Sequence, residues 1–155
     1  MTILATGFGF GYSPIASGTV GTLWGVLIVA LLFPLLNITG QIVAALIMAA
    51  ISIPICDAAD SVFKTKDDGR IVADEYLSFP ICMIGLAGPD TGIRWGVMLI
   101  AFLTFRFFDI VKPPPAYNIQ KLKGGLGIAA DDIIAAIYSL AANYAILYAI
   151  SLILT

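Results

Sequence analysis

The chain has 155 residues, 60% of them hydrophobic and only 12% charged, with a net charge of −2, a mean hydropathy of +1.00 and a pI near 4.7. Soluble domains sit nearer about 45–50% apolar and about 25% charged, so one small core cannot hold the surplus, and lipid is its natural solvent. The acidic balance leaves no basic face for nucleic acid. The absence of histidine excludes Ser-His-Asp hydrolases, His-ligated zinc and any imidazole base.

No cleavable leader is expected, because residues 1–20 carry no basic n-region and Gly, Ser and Pro interrupt them. Five apolar runs follow in chain order, at residues 20–36, 42–56, 76–87, 93–108 and 133–154. A bilayer core of about 30 Å needs roughly 20 helical residues, so the last run suffices and the first, second and fourth are extendable. The third carries Pro80 and Gly85 and is short; it could span or be re-entrant. The first two runs are joined by a tight hairpin at residues 37–40. Gly21 and Gly25 form a pair of small residues that lets another element approach closely. Cys56 and Cys82 are too few for a disulfide framework and read as buried thiols.

If the third run crosses, Lys64, Lys66, Arg70, Arg106, Lys112, Lys121 and Lys123 share one side and only Arg94 lies opposite. The positive-inside bias then makes the crowded side cytoplasmic. The expected fold is therefore an all-α, integral membrane helical bundle of about five spans, forming a single domain over residues 1–155.

Four polar clusters fall on that side. The first is the glycine-rich stretch at residues 7–22, with Ser13, Thr19 and Thr22, which leads into a helix whose N–H groups favour an anion. It lacks both the P-loop ending and the strand of a dinucleotide fingerprint. The second, at residues 67–75, holds Asp67, Asp68, Asp74 and Glu75, hard oxygen donors of the kind Mg²⁺ takes. The third places Arg106, Asp109 and Lys112 at i, i+3 and i+6, along one helix face before three prolines end it. Arg and Lys both grip phosphate. The fourth runs from Lys121 and Lys123 through Gly124 and Gly125 to Asp131 and Asp132; that pair either caps the last helix or serves the site. Asp57 and Asp60 belong to none of these and read as solvated loop acids.

Taken together these residues resemble the phosphatidylglycerophosphatase A family over nearly the whole chain. The match rests on Gly9, Gly11, Ser13, Pro14, Gly18, Thr19, Gly21 and Thr22; then Asp67, Gly69, Ile71, Val72, Asp74 and Glu75; then Phe105, Arg106, Asp109, Lys112 and Pro113; and finally Gly124, Gly125, Gly127, Asp131 and Asp132. The resemblance implies a Mg²⁺-dependent phosphatase of the bacterial inner membrane that converts phosphatidylglycerophosphate to phosphatidylglycerol and inorganic phosphate. Its expected partners are a phospholipid substrate and the bilayer.

On this reading Asp67, Asp74, Glu75, Asp131 and Asp132 hold the metal, and with Asp109 they form the catalytic set. Ser13, Gly18, Thr19, Gly21, Thr22, Arg106, Lys112, Lys123, Gly124 and Gly125 bind substrate. The attacking group is water or an Asp carboxylate. Two rivals are weaker. A CDP-alcohol phosphatidyltransferase needs an Asp-Gly-x-x-Ala-Arg signature, but Asp68-Gly69 is followed here by Arg70-Ile71-Val72-Ala73. A small cation transporter or channel subunit would place its acids near mid-bilayer.

Overall fold

A computed structural model describes residues 1–64, 68–89 and 94–154. Among these the regular elements are helical. They are α1 (Thr2–Ala5), α2 (Ser17–Leu32), α3 (Ile38–Phe63), α4 (Ala73–Ser78), α5 (Trp95–Val111), α6 (Ala116–Ile119) and α7 (Gly125–Leu154). Short 3₁₀ turns occupy Phe10–Tyr12 and Phe33–Leu35, and a third, Phe79–Met83, continues α4.

Local chemistry sets these boundaries. Asn37 N-caps α3 by accepting from the Gly40 N–H at 2.9 Å, which closes the expected hairpin after Pro34 has ended α2. α5 stops where Lys112 turns left-handed (φ 46°) ahead of three prolines.

Three stretches are long and apolar enough to cross a membrane, Ser17–Leu35, Ile38–Phe63 and Gly125–Leu154. α5 has 17 residues, or about 25 Å of helix. The third apolar run resolves into something other than a continuous helix. It begins beside the start of α2, where Gly18 abuts Glu75 and Gly21 abuts Val72. It ends at Gly85 and Ala87, beside Gln41 at the α2–α3 hairpin. The segment therefore runs the length of α2 in six α-helical residues, five 3₁₀ residues and a turn.

Such irregular backbone is tolerated at membrane depth only inside protein, and here it is the centre of the bundle. All of Phe79–Met83 is buried, and the segment packs on α2, α3, α5 and α7. Phe79 meets Phe105 of α5 edge-on at 5.8 Å. Small residues of α2 admit it: a Cβ at Gly21 would stand 2.5 Å from Val72 Cβ, and one at Gly25 would stand 2.6 Å from Phe79 Cβ. The close approach expected of Gly21 and Gly25 is thus made by this segment.

Its unpaired backbone groups are met by side chains from neighbouring helices, the buried Gln41 and Asn143 and the more exposed Tyr144. Asn143 Nδ2 donates to Cys82 O at 3.1 Å, and Tyr144 OH donates to Ile84 O at 2.9 Å. Gln41 Oε1 accepts from Gly85 N–H at 2.9 Å, while Gln41 Nε2 donates to Ala87 O and, at 3.0 Å, to Leu36 O.

Two helices extend further than hydropathy indicates. α3 runs on to Phe63, so Asp57 and Asp60 lie on a helix and not in a solvated loop. α7 begins at Gly125, well before the apolar run at 133, so Asp131 and Asp132 sit in its second turn. That position rules out capping, since the orphan N–H groups are confined to the first turn. In both places tertiary contact carries the helix through a polar stretch.

Gln41→Leu removes an acceptor and two donors from a buried site. Each of the three stranded backbone groups costs about 1–3 kcal/mol, so the thermal midpoint in detergent falls by at least about 6 °C. An unchanged midpoint would show that the hairpin end is held by other contacts.

Candidate active site

At one end of the bundle, four stretches of chain close a polar cavity of about 330 Å³. The start of α2 contributes Ala16, Ser17 and Gly18; the approach to α4 contributes Gly69 and Ile71, followed by Asp74 and Glu75. Arg106, Asp109 and Lys112 come from the end of α5, and Asp131 and Asp132 from α7.

The helix-face spacing in α5 holds. Arg106 Nη1 lies 2.8 Å from Asp109 Oδ2 and 3.0 Å from Glu75 Oε1, so one guanidinium ties α5 to α4. Thr22 supports the same knot: its Oγ1 is 2.8 Å from Gly18 O and 3.2 Å from Glu75 Oε2. Gly18 has to be glycine here, because a Cβ would collide with the Glu75 carboxylate.

Lys112 reaches across to α7, its Nζ 2.5 Å from Asp131 Oδ2. Burial alone would lower the pKa of this ammonium. The Asp131 hydrogen bond and the charges of Asp131, Asp132 and Asp109 outweigh that effect and hold it above the ordinary lysine value. Asp132 is 3% exposed, and among the described residues no donor reaches its Oδ2. Five carboxylates thus share the cavity with two cations, both already paired.

The cavity rim is stitched by Ser17 Oγ, which donates to Gly69 O at 2.7 Å. Arg70 forms a two-point pair with Asp68, both contacts 2.7 Å, and lies over the Phe63 ring at 4.1 Å. This holds the turn before α4 and leaves Arg70 outside the cavity lining.

The structure brings together Gly18, Asp74, Glu75, Arg106, Asp109, Lys112, Asp131 and Asp132. Thr22 stands directly behind them, and Gly21 packs on Val72. Ser13 bonds Ile15 O in an exposed loop, and Thr19 and Lys123 do not line the cavity. Gly124 and Gly125 serve a different purpose. The Gly125 N–H donates to Asp57 Oδ1 at 2.9 Å, and a Cβ at either glycine would strike Asp57 or the α3 backbone. Asp57 therefore caps α7 from α3, and the paired glycines allow the two helices to touch. Asp67 lies outside the described residues.

Sequence reasoning gave no site role to Ala16 and Ser17, named Gly69 and Ile71 only as motif positions, and took Asp57 for a solvated loop acid. Ser17 was traceable as the residue opening the helix beside Gly18, whereas the Asp57 cap spans 68 positions and leaves no local signal.

Among the described residues no three acids are already gathered around one point as a metal cage. The donor chemistry nevertheless suits a hard divalent cation: every acidic group in the cavity offers oxygen, the buried Asp132 Oδ2 has no donor among the described residues, and both cysteines are buried thiols.

Fold and cavity together define a membrane-associated helical bundle with an acid-rich site at one end. The phosphatidylglycerophosphatase A family profile matches residues 3–147. Phosphatidylglycerophosphatase A of Haemophilus influenzae is 35% identical over 147 residues, covering 94% of this chain and 88% of the relative. The Escherichia coli protein of the same name is 31% identical over 140 residues, covering 88% and 77%. A Bacteroides thetaiotaomicron protein named "Putative phosphatidylinositol-3-phosphatase" is 36% identical over 141 residues, covering 88% and 87%. No solved structure matches the chain significantly. The chain belongs to the phosphatidylglycerophosphatase A family, and it is a phosphatase.

The Asp57 cap gives a test that separates shape from charge. Asp57→Ala removes the acceptor and lowers stability by about 1 kcal/mol, with a several-fold loss of turnover as Asp131 and Asp132 shift. Asp57→Asn keeps an acceptor oxygen and restores most of both. If Ala and Asn behave alike in melting and turnover, the contact does not position α7.

Proposed function

We propose that this protein hydrolyses phosphatidylglycerophosphate to phosphatidylglycerol and inorganic phosphate, using Mg²⁺, at the cytoplasmic face of a bacterial inner membrane. The observation that carries the reading is the charge imbalance of the cavity, five carboxylates against two cations that are already paired. A phosphate monoester entering it meets net repulsion unless a divalent cation reverses the local field. Family membership supplies the phosphatase chemistry and the phospholipid class.

Asp74, Glu75, Asp131 and Asp132, with Asp67 from the sequence motif, would hold Mg²⁺, which when bound supplies positive charge and polarises a phosphoryl oxygen. Arg106 and Lys112 bind the other phosphoryl oxygens, turning from their carboxylate partners toward the substrate as charge develops on it. Water attacks phosphorus as the ester bond between the terminal phosphate and the headgroup glycerol breaks. A cavity carboxylate takes the water's proton, and the departing alkoxide is protonated in turn. The alternative is direct attack by a carboxylate followed by hydrolysis of the acyl phosphate, which ends in the same products.

Placement at one end of the bundle supports an enzyme over a transporter, whose acids would sit near mid-bilayer. The basic residues Lys64, Arg70, Arg106, Lys112, Lys121 and Lys123 also cluster at the cavity end, while Arg94 opens α5 at the other. That bias supports a cytoplasm-facing site.

Phosphate release from purified protein tests the reading, with phosphatidylglycerophosphate and phosphatidylinositol 3-phosphate compared side by side. The former is turned over faster. Equal turnover, or preference for the inositol lipid, would assign the site to the other headgroup. Chelation abolishes turnover and Mg²⁺ restores it; full activity in excess chelator would remove the metal from the proposal. Asp74→Asn and Asp132→Asn each lower kcat at least about 100-fold, since every tenfold is about 1.4 kcal/mol of lost transition-state stabilisation. Their melting midpoints stay near wild type. Arg94→Gln, at the opposite end, is the control. Parity among the three variants would place the chemistry elsewhere.

A further inference from the structure

The first charged side chain in the sequence is Asp57; residues 1–56 contain no Asp, Glu, Lys or Arg. For α2 and most of α3 this is ordinary membrane-span composition. Residues 1–16 are different, because they precede the first span and lie at the cavity end of the bundle, where water and headgroups are expected. They are nevertheless uncharged along their side chains, and their large apolar groups face outward. Ile15 is 79% exposed, Ile3 66% and Phe8 60%.

A flexible apolar tail would need no explanation, but this segment is held in place. Trp24 Nε1 donates to Gly7 O at 3.0 Å, and the Trp24 ring packs on Phe8 and Phe10 with centroids 5.5 and 5.6 Å away. The backbone turns left-handed at Gly7, Phe8 and Gly9, directing Phe8 and Phe10 outward. Phe10 then forms one continuous apolar groove with Val20, Leu23 and Leu27 of α2. Leu23 and Leu27 belong to the exposed face of a stretch suited to crossing the bilayer. The exposed segment is therefore an extension of the lipid-facing surface of α2.

We propose that residues 1–15 lie within the leaflet on the cavity side, at the boundary between headgroups and acyl chains, and fix the depth of the active site. Interfacial burial of an apolar, aromatic-rich segment is favourable, whereas exposing it to water is not. Its connection to the chemistry is direct. The Val72 N–H donates to Ala5 O at 2.8 Å and Tyr76 OH donates to Leu4 O at 2.9 Å, so the segment is fastened on both sides of Asp74 and Glu75. Ala16 and Ser17, where the segment ends, form the cavity wall. A lipid-embedded segment at this place sets the cavity mouth at headgroup level, and a phospholipid's phosphate enters without its chains leaving the bilayer. The depth argument rests on the lipid-phosphatase reading above; the membrane insertion itself does not.

The test uses the full chain in phospholipid vesicles, where buried Cys56 and Cys82 leave a new cysteine as the labelling site. An environment-sensitive fluorophore is attached at Phe8→Cys, at Ile15→Cys and, for comparison, at Lys121→Cys in the exposed loop before α7. Labels at 8 and 15 are quenched by lipids brominated near the top of the acyl chain and are sheltered from aqueous iodide. The label at 121 is quenched by iodide. Iodide reaching 8 and 15 as readily as 121 overturns the proposal. So does shelter from both quenchers, which would mean that protein covers the segment.

A second arm reads the consequence for turnover. Phe8→Glu combined with Ile15→Glu lowers activity on vesicle-borne substrate, relative to monomeric short-chain substrate, by about tenfold. An equal loss on both shows that the segment does not set access from the bilayer. If the labels are lipid-embedded but wild-type protein releases no phosphate from any lipid, the functional reading fails and the insertion stands.

Discussion

The fold depends on how closely α2 approaches the chain between Val72 and Phe79. Gly18, Gly21 and Gly25 form the contact, and at each of them a methyl group would intrude on the facing residue. Because that approach is possible, a short and irregular segment can occupy the centre of the bundle instead of its edge. Regular helices satisfy their own backbone; this segment cannot. Gln41, Asn143 and Tyr144 supply the missing partners from α3 and α7, and in doing so they fix its depth. The stretch carrying Asp74 and Glu75 is thus placed by contacts along its whole length, well beyond the immediate neighbours of those two carboxylates.

The ion pairs at the cavity follow from that placement. Arg106 spans Glu75 and Asp109, and Lys112 spans from the end of α5 to Asp131. Half-buried pairs of this kind add little net stability over an apolar replacement, but losing one partner strands a charge and is costly. Their value here is geometric, since each joins two different elements. Asp132 lies beyond these pairs at the cavity wall, buried and with one oxygen that no donor among the described residues reaches. The pairs hold the frame, and the surplus negative charge is what a bound cation would meet.

Much of this was legible in the sequence. The helical membrane bundle follows from composition, and the i, i+3, i+6 spacing put Arg106, Asp109 and Lys112 on one side of α5, where the cavity uses all three. The pairs Asp74–Glu75 and Asp131–Asp132 were identified from their clustering. Boundaries were harder. Hydropathy marks where lipid begins, not where a helix does, so α3 and α7 each continue into polar sequence. The roles of Gly124 and Gly125 were obscured for a related reason. A basic, glycine-rich turn suits phosphate as a sequence, yet in the fold the Gly125 N–H is taken by Asp57. No local pattern announces a partner 68 positions away; only the packing of α7 on α3 does.

The two ends of the bundle solve opposite problems with different chemistry. At the hairpin end, irregular backbone is satisfied by neutral amides and a phenol, which need no counter-charge and are tolerable beside lipid. At the cavity end the groups are ionisable, because binding and splitting a phosphate ester needs charge that can be redistributed. The chain divides along the same line. Its first 56 residues contain no charged side chain and act at the site through shape and neutral hydroxyls: Gly18 makes room for Glu75, and Thr22 holds that carboxylate by its hydroxyl. The charged chemistry comes from α4, α5 and α7, packed against that neutral scaffold. A charge introduced into the scaffold would have to sit in lipid or in the core, and each charge in the later helices already faces the cavity or a partner near it. This division gathers the charged groups of α4, α5 and α7 at one end of the bundle.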